Sequence, residues 1–415
     1  MRGRWWETIA GRYDVAIWIR LVGTVLTTVA NFMIRPFMVL YLYEKLEGSV
    51  LLPMLVVGLQ PLASMIVGLW GGSLADKYGR KPLMAAALVV NAASMAGFAA
   101  SEELWHFVLF SILNGIGMSL FFPAANAQVA DIVSPERRAE IFAALHAALN
   151  VGAAFGPVLG LLVFSWQPKV VFALSALSFV AYLLLVLKYI PETKPAAADG
   201  SEPGASVTPP PRLTLRGHGL LYAMTGLAVP IGLLYAQVET VLPLHLQTVF
   251  GDDARAMFTT MLTLNGLTVM LLQIPVARMT ERWATHRVVL LSYGLFAAVA
   301  FGYGFAPWFA LLLFAELLFS LGEMLCGPHL QKAVSMIAPE EMRARYFSVY
   351  SMNWQLSRGL GPLAFGLVFE RYGGAAAFAV IAGLLVVSGA AQHRLVRGLS
   401  KPRAPAEAAA VAGAS

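Results

Sequence analysis

Charge is what this chain is short of. Of its 415 residues 13% are Asp, Glu, Lys or Arg, while 58% are apolar. A water-soluble domain carries about a quarter of its residues charged, because its surface must be covered. A soluble fold is therefore excluded. Cysteine is nearly absent too: Cys326, inside an apolar run, is the only one, so no disulfide framework or thiolate metal centre can form and it reads as packing. The seven histidines make no H-E-x-x-H pattern, and no G-x-x-x-x-G-K-[ST] loop is present. Those absences remove a zinc site and an ATP-driven pump and leave no cofactor or metal to expect. The N-terminus carries Arg2, Arg4 and Arg12 but no short apolar core with a small-residue cleavage site, so the first apolar run is expected to be a retained span.

Long apolar runs are what the chain has instead. Leu51–Trp70, Leu83–Ala100, Val170–Ile190, Val288–Ala306 and Ala375–Ala391 each approach the ~20 residues that cross hydrocarbon as a helix. Twelve spans are expected, at 16–43, 50–74, 82–100, 105–129, 141–164, 169–190, 218–246, 257–278, 287–305, 307–335, 346–368 and 374–392. With the N-terminus cytoplasmic, inside connections hold 22 Lys and Arg, and outside ones only Lys45, Lys169, Arg255 and Arg371. By the positive-inside rule both termini are cytoplasmic, and the net charge of +6 reflects membrane orientation rather than a nucleic-acid partner. The expected organisation is a six-helix bundle at 1–191, a flexible Pro-, Ala- and Gly-rich cytoplasmic linker at 192–217, a second six-helix bundle at 218–393, and a disordered tail at 394–415.

The two halves repeat. An offset of 205 carries Pro123 onto Pro328, Gly156-Pro157 onto Gly361-Pro362, Asp76 onto Glu281, Tyr78 onto Trp283 and Phe142 onto Phe347. Parallel six-span repeats about an axis along the membrane normal are a transporter architecture, and alternating access follows from two bundles rocking about a central site.

The loop after span two reads Gly72-Ser73-Leu74-Ala75-Asp76-Lys77-Tyr78-Gly79-Arg80-Lys81-Pro82. It resembles the G-x-L-x-D-x-x-G-R-K signature of the major facilitator superfamily. The resemblance implies an all-α membrane fold of two six-helix bundles related by a pseudo-two-fold axis. It also implies a cytoplasmic gate in which Asp76 caps a helix N-terminus and Arg80 meets an acid at the end of span four, here Asp131. Gly72, Gly79 and Lys81 complete the motif.

Span five carries Gly152, Gly156, Pro157 and Gly160, similar to the G-x-x-x-G-P-x-x-G-G motif of drug:proton antiporters, with Leu161 in place of the last glycine. Small residues allow close helix approach, and the motif is expected where the bundles meet. The arginine such antiporters often have in span four is replaced by Ser111, which places proton coupling through that position in doubt.

Two acids stand in apolar sequence, Glu239 in span seven and Glu323 in span ten. Their surroundings resemble the acidic segments of twelve-span multidrug:proton antiporters of the lactococcal type, which implies proton coupling and recognition of cationic drugs. An intramembrane carboxylate costs about 2.5–3.5 kcal/mol on insertion scales, so it needs a function or a partner. The repeat offset puts Arg35 beside Glu239 in register, and a charge pair between them is expected. Arg358 is expected opposite Glu323, and Arg20 is expected to snorkel to the membrane surface. His146, Gln237 and Asn31 add polar groups that either line a cavity or bridge helices.

The sequence thus points to a secondary transporter of the cell membrane, a monomer and not an enzyme. Its expected activity is proton-coupled efflux of hydrophobic or cationic small molecules. Other readings remain: a same-fold permease for a metabolite or lysolipid, a transport-dead sensor, or an intramembrane enzyme. Against the last two, neither the linker nor the tail can hold a sensor domain, and His146 has no nucleophile beside it.

Overall fold

The computed structural model describes residues 14–193, 217–339 and 342–399. Every regular element among them is helical. The first half holds α1 (Val15–Ile34), α2 (Met38–Lys45), α3 (Leu51–Tyr78), α4 (Arg80–Ala100), α5 (Leu104–Ile132), α6 (Pro135–Trp166) and α7 (Pro168–Tyr189). The second holds α8 (Gly219–Glu239), α9 (Val241–Phe250), α10 (Ala254–Thr280), α11 (Thr285–Phe305), α12 (Phe309–Ile337) and α13 (Arg343–Leu399).

Local chemistry sets the helix ends. Asp14 caps α1, its Oδ1 accepting from the Ala16 amide at 2.8 Å. Pro135 and Pro168 occupy first helical positions, where the missing N–H costs nothing. Gly79 joins α3 to α4 at φ 102° and ψ 157°, a conformation that disfavours any residue with a Cβ. Gly373, at φ 81° and ψ 173°, breaks α13 into two consecutive helices.

Eleven stretches are long and apolar enough to cross a membrane, and the last, Tyr346–Leu399, is divided by Gly373, giving the twelve expected. Expected spans one and seven are each two helices. The first breaks between α1 and α2, where Pro36 removes a backbone donor. The seventh breaks at Thr240, at φ −123° and ψ −64°.

The helices pack as two compact units. One gathers residues 14–193 with Tyr235–Met270 and Gln355–Ala377; the other holds 217–234, Leu271–Trp354 and 378–399. The first has an aromatic core in which Tyr41 meets Phe107, Phe164 and Phe172 at centroid distances of 5.5–6.1 Å. In the second, Tyr303 packs on Phe319 and Phe378, and the Tyr293 hydroxyl donates to the Leu227 carbonyl at 2.8 Å.

Outside the spans, Glu102 accepts from Lys169 at 2.5 Å and from Lys45. The Lys169 hydrogen bond, then that of Lys45, pulls its carboxyl down to about 2.

Candidate functional site

The site begins where the first helix of each repeat breaks. Arg35 follows the last residue of α1, and Glu239 is the last residue of α8. A cation is favoured at a helix C-terminus and an anion is not, because unpaired carbonyls point there. Glu239 therefore needs cationic partners, and it has two. Arg35 Nε lies 2.9 Å from its Oε2, and Arg358 Nη2 lies 3.0 Å from its Oε1. Both carboxylate oxygens are engaged, and one residue ties α1, α8 and α13 together.

This cluster lines a cavity of 270 Å³ inside the first unit. Polar groups on its wall include Asn31, Gln60, Ser64, Asn114 and Gln355. Apolar wall comes from Met38, Met95, Phe98, Met118 and Phe122. A few polar groups set in an apolar wall describe a small-molecule site. Charge is unequal: two arginines face one glutamate.

The Arg35–Glu239 pair stands as the register of the repeats led one to expect. Arg358, expected opposite Glu323, reaches the Glu239 carboxylate on α8. Gln237 is fully buried, its Oε1 accepting from the Thr240 hydroxyl at 2.9 Å, and it does not line the cavity. The snorkelling expected of Arg20 is not what is found. Its side chain turns inward, buried, and donates from Nη1 to the Tyr182 hydroxyl at 2.6 Å. The aromatic and hydroxyl groups of α5 and α7 offer it a place inside the helix cluster.

Glu323 belongs to the second unit and is partly buried on α12. Two turns earlier, Glu316 is fully buried and accepts from the Tyr303 hydroxyl at 2.6 Å. The side chain of His146 lies outside the described residues.

Around the α3–α4 turn, Arg80 is buried against Asp131, Nε to Oδ2 at 3.2 Å, and donates from Nη1 to the Ala75 carbonyl at 2.9 Å. Lys81 is partly buried on the first turn of α4. Two partners come from the stretch read as the start of the linker. Glu192 Oε1 accepts from the Arg80 amide at 2.9 Å, and the Thr193 hydroxyl donates to Asp131 Oδ2 at 2.8 Å. A carboxylate on the first amide of α4 is the favourable end of that helix. The side chain of Asp76 lies outside the described residues, and Gly72 stands within α3.

The span-five motif has two faces. Gly152, Gly156 and Gly160 press against Thr28, Phe32 and Met33 of α1, packing within the first half. A Cβ on Gly160 would stand 2.5 Å from the Met33 carbonyl oxygen. Pro157 is buried beside them. On the other face, Ala154 is met by Gly266 of α10. Its repeat equivalent, Gly359, crosses Gly58 of α3 so closely that a Cβ on Gly58 would stand 2.5 Å from the Gly359 oxygen.

Described residues that are wholly helical in their regular elements, with twelve spans, paired breaks in the first helix of each repeat and a charged cavity at those breaks, make a secondary transporter. The family model described as Major Facilitator Superfamily matches residues 20–262 and 252–413, and the chain belongs to that superfamily. It is a multi-pass membrane transporter, not an enzyme. A Bacillus subtilis (strain 168) protein named as the uncharacterized MFS-type transporter YhjO is 32% identical over 95% of this chain and 98% of its own length. A Na(+), Li(+), K(+)/H(+) antiporter of Planococcus maritimus is 27% identical, over 89% of this chain and 93% of its own. The multidrug resistance protein MdtH of Klebsiella pneumoniae (strain 342) is 23% identical over 84% and 85%. Among solved structures, a peptide transporter POT in complex with sulfate superposes with a TM-score of 0.77 at 16% identity, over 93% of this chain and 95% of that one, a likeness of fold.

Proposed function

We propose that this transporter is a proton-coupled exporter of hydrophobic small molecules, working by alternating access in the cell membrane with both termini cytoplasmic. The observation that carries the reading is Glu239, held by Arg35 and Arg358 on the wall of a largely apolar cavity. Protonating Glu239 removes the charge that holds three helices together. A differential interaction of about 1.4 kcal/mol changes a two-state equilibrium tenfold, so one proton is enough to bias which side is open. The Arg80–Asp131 pair, braced by Glu192 and Thr193, serves as the gate latch on the cytoplasmic side, with Asp76 its expected partner. Glu323 is the second proton or substrate group, and Asn31 a polar contact for cargo. His146 and Gln237 act as supporting polar groups. The transporter works as a monomer.

Relatives named as an antiporter and as a multidrug resistance protein support the direction and the breadth of cargo. Cationic cargo is what the acidic segments around Glu239 and Glu323 imply. The excess of arginine over glutamate in the cavity favours a second version, in which the cargo is a metabolite or lysolipid with an anionic group. Transport into inverted vesicles, whose outer face is the cytoplasmic one, separates these readings, accumulation in the lumen being export from the cell. Proton-coupled export requires efflux of lipophilic dyes that an uncoupler collapses and that Glu239→Gln reduces at least tenfold. Efflux that persists with no proton gradient rejects proton drive, and selective movement of anionic amphiphiles selects the second version.

A further inference from the structure

Arg20 has no place in the transport site just described. It sits on α1, about four turns before Arg35, with 3% of its surface exposed. Nη1 donates to the Tyr182 hydroxyl, and the guanidinium stands 5.5 Å from the centre of the Phe121 ring. Its Nε is buried without an acceptor, and no carboxylate pairs with it among the described residues. A guanidinium inside a span costs about 2.5–3.5 kcal/mol on insertion scales. A phenol and an aromatic face offset part of that. Arginines inside membranes pair with acids or backbone carbonyls; this one is held by a phenol and a ring and keeps Nε unused.

Arg20 and Arg35 both stand on the wall of a cavity of 440 Å³ within the first half. No acidic residue lines it among the described residues. Asn91 adds a second buried donor: its Oδ1 accepts from Asn114 at 3.0 Å, and its Nδ2 has no acceptor. Thr24 and Thr27 give their hydroxyl protons to carbonyls of α1, so they do not compete as donors. Phe122 and Phe179 supply apolar wall. The volume falls within the ~300–1,000 Å³ range of small-molecule sites.

We propose that this cavity is an anion subsite: Arg20, with Asn91, receives the carboxylate, sulfonate or phosphate end of an amphipathic ligand whose apolar body lies along Phe121, Phe122 and Phe179. Buried donors lacking an acceptor are the groups whose desolvation an anion repays, since a charge-assisted hydrogen bond is stronger than a neutral one. That the ligand is cargo rests on the transport reading above; that it binds does not.

The test uses purified full-length protein in nanodiscs of neutral lipid, without any gradient. Binding of 1-naphthoate is compared with 1-naphthamide, its neutral analogue, and with 1-naphthylmethylammonium. The subsite requires naphthoate to bind at least tenfold tighter than either. Arg20→Gln should weaken naphthoate tenfold or more and leave naphthamide unchanged, and Arg20→Lys should restore part of the loss. Equal binding of naphthoate and naphthamide, or an Arg20→Gln effect on both alike, overturns the proposal. Should Arg20→Gln not fold, Asn91→Leu and Tyr182→Phe decide. Selective loss of naphthoate in Asn91→Leu, with unchanged or tighter binding in Tyr182→Phe where Nη1 is released, supports the subsite; the reverse in either overturns it. Adding phosphatidylglycerol distinguishes sources: Arg20-dependent displacement assigns the site to a lipid headgroup, and none assigns it to a soluble anion. Because no gradient is present, failure of proton-driven efflux leaves this binding result untouched.

Discussion

Arg35 and Glu239 stand one position apart in the register of the two repeats, and their side chains meet, Nε to Oε2 at 2.9 Å. Each lies at the C-terminal break of its helix. The break is what frees a side chain at mid-span to reach across a cavity, and Arg358 closes the arrangement from α13.

Replacing Glu239 by Gln removes the carboxylate that Arg35 and Arg358 share. A fully buried pair broken this way loses about 3–5 kcal/mol; this one opens onto a cavity, so a smaller loss of about 1–3 kcal/mol is expected. The checks are a lowered Tm in a fluorescence melt and loss of pH-driven transport. The double variant Arg35→Gln with Glu239→Gln should recover part of the Tm but not the transport.

At the α1–α6 crossing, Gly156 packs directly on Phe32. Gly156→Ala should cost about 1–3 kcal/mol through overpacking, visible as a lower Tm, whereas Ala at Gly226, with nothing near its Cβ position, should cost only a small propensity change or gain. Equal behaviour of the two variants would contradict close packing at the first site.

For the α3–α4 turn, Glu192→Gln weakens the acceptor for the first amide of α4, and Thr193→Val removes a donor to Asp131. Each should cost about 0.5–1.5 kcal/mol in stability. Transport rate should fall more in the double variant than in either single one, as measured in vesicles at saturating substrate. Unchanged transport in the double variant would reduce the cluster to a structural tie.

Glu102 offers a pH test outside the spans. Its carboxyl is held down at about 2, below the ordinary 4.5, by Lys169 and Lys45. The unfolded chain therefore binds its proton first as pH falls, so the contribution is complete above pH 4.5 and lost as pH drops toward 2. Because the carboxylate is exposed, Glu102→Gln should change Tm by little at pH 7, and any difference should shrink in high salt and vanish at the acid end.

The fold was legible because its signals are physical extremes. Runs such as Val170–Ile190 have no other home than hydrocarbon, and the 205-residue offset aligned prolines and glycines whose backbone roles recur. The Arg35–Glu239 pair could be read from the same offset. The reach of Arg358 to Glu239 could not, because depth alone did not say that its side chain would extend to α8. Gln60, Ser64 and Gln355 were missed although they carry the signal that marked Asn31, a polar residue in an apolar run. Glu192 was hidden by composition: a Pro- and Ala-rich stretch reads as linker, and only the folded chain brings its carboxylate onto the first turn of α4. The inward turn of Arg20 depends on Tyr182, far away in sequence, and no local pattern announces it.

The positive φ of Gly373 has a practical consequence. Two membrane crossings are joined there by a one-residue hinge, so the exposed Arg371 and Tyr372 beside it belong to a helix end and not to a loop. A reporter peptide spliced in at that point has to melt the neighbouring helix ends to be accommodated, so topology mapping on that face is better done through the connection at Gly251–Asp253.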